Sequence, residues 1–337
     1  MLRFFLITIV TLLLLSCSAT KQTLQTVNQR FDTKGQAHKV DKGIYWYAWL
    51  GQDKRLKRNM SINLIDIDLK KADVTFDFAW FNNNRATLSA IADTAGAIVA
   101  VNSAYFEKLD DGGYVSFHKS KGHVDQYMEL PENHTRYWKH QAAFVQTGDQ
   151  SFAFIQGNQR LYDSLPYDNI ISSAPLLIAD GIPVGKYFVA QKTGDKSKLD
   201  GEHPDRHQAG NGPRMAFAKT KQNHLLLIAV DGRSARAQGI NAEELTDLLL
   251  QLNATDAINM DGGGSLTMFV RGASPTGVVN YPSDLRKKDP NLFEHYGQRK
   301  NGAALLVKPK SAAARARVRA IKVAADPEAK DYIDVKK

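Results

Sequence analysis

Two aspartates, Asp231 and Asp261, occupy equivalent places in one local pattern, and that pattern is where chemistry would be placed first. Each follows the last apolar residue of a short hydrophobic run, residues 225–230 in one case and 257–260 in the other. Asp261 then leads into Gly262-Gly263-Gly264-Ser265. Consecutive glycines expose backbone N–H groups and let a ligand approach with no Cβ in the way. A carboxylate beside such a turn suits a polar, oxygen-rich ligand, and paired carboxylates suit acid–base work. With Asn102 they are also hard oxygen ligands of the kind calcium or magnesium accepts, although no spacing here defines a metal loop. Taken singly, either aspartate reads as a turn cap; the two with a triple glycine read as a site.

The elements that must position them follow from periodicity. Residues 225–230 form a continuous apolar run closed by Asp231-Gly232, the pattern of a strand buried on both faces. Asn241 is an N-cap with Glu244 three residues on, the capping-box spacing, which makes Glu244 a helix cap. Leu245, Leu248, Leu249 and Leu252 form one helical stripe, and Asn253 suits a left-handed end. A helical crossover between two strands makes them parallel, so both would end on one sheet edge, where open α/β sheets place ligands. The expected fold class is α+β (mixed α/β): a single domain with a mixed twisted sheet, one parallel βαβ crossover and several antiparallel hairpins.

Those hairpins are expected between residues 64–68 and 74–78, within 144–155 around Gly148-Asp149, within 175–184 around Asp180-Gly181, and from 215–218 into 225–230. A short helix at 87–94 stopped by Gly96 leads to a buried strand at 97–101, which ends in Asn102. Residues 191–213 form a long polar run of the kind that is functional or disordered, with His203 and His207 read as surface residues.

The chain has 337 residues and is 43% hydrophobic, enough for a full core. Residues 4–15 are an apolar run after Arg3, too short for a comfortable membrane span and suited to a signal-peptide core. Leu14-Leu15-Ser16-Cys17 resembles a bacterial lipobox, and Cys17 is the single cysteine. The expectation is a signal peptide over 1–16, lipidation at Cys17, a polar tether over 17–42, a folded domain over 43–308 and a basic extension over 309–337. Ser18 after the lipidated cysteine favours the outer membrane, and the membrane is reached through the lipid anchor. The formal charge is +9, with +5 of it in residues 308–337, so charge alone makes no nucleic-acid binder. No helix-turn-helix, zinc finger or interleaved aromatic–basic motif is present. Asp261-Gly262-Gly263-Gly264-Ser265 lacks the lysine of a phosphate-binding P-loop.

Several stretches in order carry a family resemblance. Asn102-Ser103-Ala104-Tyr105-Phe106 looks like the N-G-x-F-F element of the phosphodiester glycosidase family, and Pro213-Arg214-Met215-Ala216-Phe217-Ala218 resembles its R-[ST]-A-x-G strand. Val230-Asp231-Gly232-Arg233 with Gly239 and Glu244-Leu245 is similar to its V-D-G-R segment. Asn259-Met260-Asp261-Gly262-Gly263-Gly264-Ser265 matches its N-L-D-G-G-G-S signature. Asn280-Tyr281-Pro282 and Gly297-Gln298-Arg299 resemble its closing elements. Ala218 and Ser103-Ala104 stand where the family has glycine, and their side chains are expected to narrow the site.

The resemblance implies hydrolysis of the bond between a sugar's anomeric carbon and a phosphodiester oxygen, on a phosphorylated glycan or sugar-1-phosphodiester. Asp261 and Asp231 would be the carboxylates and Arg214 the two-pronged phosphate ligand. The N–H groups of Gly262, Gly263 and Gly264 would add donors, with Ser265 beside them. Arg299 would be a second phosphate contact, and Asn102 would orient a hydroxyl or water. The rival readings are a non-catalytic glycan-binding lipoprotein of the same fold and a phosphodiesterase that releases sugar 1-phosphate.

Overall fold

A computed structural model describes residue 25 and residues 27–81, 84–109, 113–185, 195–284 and 293–321. The signal peptide, Cys17, the first residues of the expected tether and the end of the basic extension lie outside them.

The strand His224–Val230 shows why the centre folds as it does. Its residues are buried on both faces, and alternate ones enter two different cores. Leu226, Ile228 and Val230 meet Leu245, Leu248 and Leu249 of the helix Ala242–Gln251. Leu225, Leu227 and Ala229 meet Phe144, Val101, Leu305 and Val307 from two other sheets. A strand with period two that is apolar throughout can only sit between two layers. The molecule is therefore layered: a helix, a seven-stranded sheet, then a five-stranded and a four-stranded sheet packed on the far face.

In the large sheet the order of strands is Gln36–Asp41, Ile44–Asp53, Arg58–Asp68, His224–Val230, Arg214–Thr220, Ala254–Met260 and Leu176–Ile178. Every neighbour pairing is antiparallel. This corrects the expected parallel crossover. The strand Arg214–Thr220 is inserted between the two strands that the helix connects, and it runs against both. Arg214 faces Val230 on one side and Met215 faces Met260 on the other, so both connected strands still end at the same edge.

The expected hairpin over 64–78 is also corrected. Arg58–Asp68 stays in the seven-stranded sheet, whereas Val74–Trp80 pairs with Ala303–Pro309 in the four-stranded one. The turn after Asp68 is a passage between layers, and both strands bury most of their residues. The hairpins at Ala142–Gly148 with Ser151–Gln156 and at Arg214–Thr220 with His224–Val230 form as expected. So do the capping box of Asn241 with Glu244 and the left-handed Asn253 (φ 60°).

The folded body extends beyond 43–308 on both sides. Val27 and Phe31 are buried in the helix-side core, and Gln36–Asp41 pairs with Ile44–Asp53. At the other end Ala312–Arg319 is a helix capped by Ser311, with Arg317 Nε donating to Asp41 Oδ1 at 2.7 Å. The extension's first half is thus docked on the domain.

Candidate active site

At the edge where Arg214–Thr220 begins, the chain has just left Met260, and a cleft of about 670 Å³ opens over residues 261–264. Asp261 is half-buried in it. Its backbone is held from two sides, by Asp261 N donating to Ser103 O (2.9 Å) and Asn102 Nδ2 donating to Asp261 O (2.6 Å). Asn102 Oδ1 accepts from Thr267 N at 2.9 Å. Both ends of that amide are spent on the main chain, and the residue is 1% exposed. Asn102 positions Asp261; it is not the expected ligand of a hydroxyl or water.

The Asp261 carboxyl is pushed up to about 7. Burial is the main cause and the nearby Glu107 charge adds to it, against a hydrogen bond from Ser265 and the charges of Lys139 and Arg299. The group thus changes charge close to neutrality, where a catalytic acid or base works best.

Asp231 has a different fate. It is fully buried and absent from the cleft lining. Its Oδ2 accepts from Ser61 Oγ (2.7 Å), and its Oδ1 accepts from Asn280 Nδ2 (2.9 Å) and Tyr281 N (3.0 Å). This corrects the catalytic pair: Asp231 ties the segment around Tyr281 to the sheet and does not face a ligand. The cation set of Asp231, Asp261 and Asn102 fails for the same reason, since two of its three members are already satisfied by the protein. Among the described residues no group of three or more His, Asp and Glu is placed to hold a metal.

Arg214 lines the cleft but is 4% exposed. Its Nε donates to Ile240 O (3.3 Å), Nη1 to Gln208 Oε1 (3.3 Å), and Nη2 to His207 O (2.6 Å) and Gly210 O (3.0 Å). Four of the guanidinium's five N–H groups are thereby engaged. The expected two-pronged grip on phosphate is replaced by a grip on the cleft wall, residues 207–210, with the positive charge left beneath the cleft. That wall is the polar run flagged in the sequence. It carries a short helix, Pro204–Ala209, and His207 lines the cleft instead of lying on the surface. Burial and the neighbouring Arg214 and Lys139 push His207 down to about 2, so it is a neutral imidazole there.

The glycines serve approach as much as donation. A Cβ on Gly262 would run into Pro213 O, and one on Gly264 into Arg299 Nη2 and Asp284 Oδ1. Gly263 has φ 56° and donates its N–H to Pro213 O at 2.9 Å, so that donor is not offered to a ligand. Ser265 is buried, within 3.4 Å of Arg299 Nη1. Arg299 does line the cleft, oriented by Asp284 Oδ1 at 2.7 Å. Ala218, Ser103 and Ala104 are buried and outside the lining, so the departures from glycine do not narrow the cleft.

Four lining residues escaped the sequence reading as site residues. Arg233 stands in the left-handed region (φ 62°), and a Cβ at Gly263 would come within 3.1 Å of its Nη2. Its place after Asp231-Gly232 was the available signal. Glu107 lies 4.0 Å from Arg299 Nη1. Lys139 is buried, 2.8 Å from Glu202 Oε2 and over the Tyr105 ring at 4.7 Å. Burial works against the Glu202 carboxylate, but Lys139 and Arg136 outweigh it and hold it below its usual range. Nothing local marks Lys139, Glu107 or Glu202. The cations Lys139, Arg206, Arg214, Arg233 and Arg299 outnumber Glu107, Glu202 and Asp261 in the lining, which gives the cleft a positive balance suited to an anion.

The sequence profile of the phosphodiester glycosidase family matches residues 95–294. The chain belongs to that family. It is 24% identical over 205 residues, 60% of its length, to N-acetylglucosamine-1-phosphodiester α-N-acetylglucosaminidase of Bos taurus, and it covers 36% of that protein. It is 25% identical over 296 residues, 79% of its length, to the SPbeta prophage-derived protein YomE of Bacillus subtilis (strain 168), and covers 41% of it. The chain thus spans well under half the length of these relatives. The catalytic domain of the zebrafish N-acetylglucosamine-1-phosphodiester α-N-acetylglucosaminidase, auto-inhibited by its pro-peptide, shares the fold. The TM-score is 0.58 at 20% identity, covering 81% of this chain and 87% of that one. Asp261, the triple glycine, Arg233 and Arg299 all lie within or just beyond the matched span.

Proposed function

We propose that this chain hydrolyses a sugar-1-phosphodiester at the bond between C1 and the phosphate oxygen. The observation that carries the reading is Asp261, a carboxyl poised near neutrality in a cleft lined by an excess of cations. Arg233 and Arg299 are the arginines beside Gly263 and Gly264, and they receive the phosphodiester. Arg214 holds the wall and contributes field from below. Asp261, ionised, takes a proton from the attacking water as the water oxygen bonds to C1. The C1–O bond breaks, and the electron pair leaves with the phosphomonoester, already a good leaving group. Glu107, not Asp231, is the second carboxylate, and its charge adds to the burial that raises Asp261.

Incubation with N-acetylglucosamine-1-phosphodiesters and analysis of products tests this. A free reducing sugar with a phosphomonoester is expected. Sugar 1-phosphate would instead place cleavage on the other side of phosphorus, and recovery of intact substrate would leave a glycan-binding protein.

The natural substrate in this proposal is a phosphorylated glycan of the cell envelope. The supporting feature is the leader at 1–16 with Cys17, read as the anchor of an exported lipoprotein of the outer membrane. Cys17→Ala is expected to move the protein from the membrane to the soluble fraction; unchanged membrane association would remove the anchor.

A further inference from the structure

A second cavity, of about 550 Å³, shares no lining residue with the Asp261 cleft. Its size falls within the range of small-molecule sites, roughly 300–1,000 Å³. Its chemistry is the reverse of the cleft's. Among the described residues the lining holds no Asp or Glu, and Lys34 is its one permanently charged side chain.

The sheet itself explains the cavity. Along Arg58–Asp68, alternate residues share a face. Ile65 and Ile67 use that face to pack on the other two sheets, but Asn63 and Ser61 occupy it further along. Cross-strand pairing of Asn63 with Ala48, and of His38 with Trp46, continues the same face onto the neighbouring strands. The face is apolar where it is covered and turns polar and aromatic where the covering layer stops.

Asn63 is the telling residue. It is 2% exposed, and its Oδ1 accepts from Trp46 Nε1 at 3.0 Å. Its Nδ2 donates to no protein atom among the described residues, yet it is not sealed in, and it lines the cavity. An amide donor that opens into the cavity is available to whatever fills it, water or a ligand that accepts a hydrogen bond there. Two residues along, Ser61 Oγ gives its proton to Asp231 and keeps its acceptor capacity. Aromatic rings flank this donor and acceptor. Trp46 is stacked by His38 at 4.7 Å, and Tyr281 is stacked by Phe293 and His295 at 3.9 and 4.3 Å. Rings fixed by stacking lose little freedom when a ligand arrives.

We propose that this cavity is a carbohydrate subsite for a neutral pyranose residue. A pyranose has an apolar C–H surface for the rings and hydroxyls that both donate and accept, and it needs no countercharge. The subsite does not depend on hydrolysis in the cleft.

The test uses methyl glycosides of glucose and N-acetylglucosamine, which carry no phosphate. Each is titrated into the full chain while the Trp46 indole N–H signal, assigned by its loss in Trp46→Phe, is followed by NMR. A saturable shift is expected with at least one sugar, unaffected by added inorganic phosphate. Asn63→Asp keeps the acceptor for Trp46 but replaces the donor, and it should weaken binding at least tenfold. No shift up to the solubility limit of both sugars overturns the proposal. So does a shift that phosphate abolishes, which assigns the sugar to the cleft, or equal binding by a folded Asn63→Asp. If that variant does not fold, the Trp46 titration with phosphate competition in the unmodified chain still decides.

Discussion

Asp231 and Asp261 begin alike and are used differently. Each follows a buried strand, and both strands end beside Arg214. Around Asp231 the protein supplies every partner, from Ser61, Asn280 and Tyr281, and the carboxylate is closed off. Around Asp261 the protein fixes the backbone through Asn102 and Ser103 but leaves the side chain in the cleft, beside cations and one competing carboxylate. A carboxylate with its hydrogen bonds satisfied is a structural tie. One that is partly desolvated and short of donors is ready to exchange a proton.

The sharpest way to break this comparison is to neutralise each aspartate in turn. Asp261→Asn keeps the shape and should lower turnover by at least about 10²-fold, the lower end of acid–base contributions. Thermal unfolding should show it no less stable near pH 8. The sign follows from the raised value: the folded state holds the Asp261 proton more tightly than the unfolded chain, so this residue's contribution is full below the ordinary carboxylate range. It is lost as pH rises to about 7, a loss the asparagine does not suffer. A folded Asp261→Asn protein of wild-type activity would reverse the assignment. Asp231→Ala should do the opposite, costing about 3 kcal/mol of stability because buried donors to a charged group lose their acceptor. Turnover per folded molecule should fall much less than in Asp261→Asn, and a greater loss with unchanged unfolding would return Asp231 to the chemistry.

Arg214→Lys probes the wall of the Asp261 cleft. An ammonium has three donors on a flexible stem and cannot satisfy the four acceptors that Arg214 now holds. A roughly tenfold loss in kcat/KM is expected, expressed mainly in KM as the 207–210 wall loosens. A pure kcat loss would point to direct contact with the reacting phosphate. The smallest effect should come from Glu107→Gln. With the base reading of Asp261, kcat/KM rises with pH and levels off above about 7, and removing the Glu107 charge should shift that rise to lower pH. A rate that falls through the same pH range would make Asp261 the acid.

Much of this was legible in the chain itself. The two-faced strand at 225–230, the capping box of Asn241 with Glu244, the left-handed Asn253 and the turn at Asp261-Gly262-Gly263-Gly264 rest on local periodicity and local backbone preference, and the structure keeps them. What misled was always non-local. The Leu69–Asp73 stretch has the look of a hairpin turn, but its two strands find partners in different sheets, and no local signal states a partner. The helix 242–251 does join two strands of like direction, but only pairing across the sheet could show Arg214–Thr220 lying between them.

Residue types and spacing therefore determined the elements, the family motifs and the edge at which a site would form. Tertiary structure decided which aspartate is open, that Asn102 and Arg214 spend their polar groups on the protein, and that Glu107, Lys139 and Arg233 join Asp261. The physical reason is that hydrogen-bond satisfaction, desolvation and charge pairing are properties of a packed environment. Asp231 and Asp261 are the same side chain at the same kind of strand end; what distinguishes them is which distant residues arrive to surround each one.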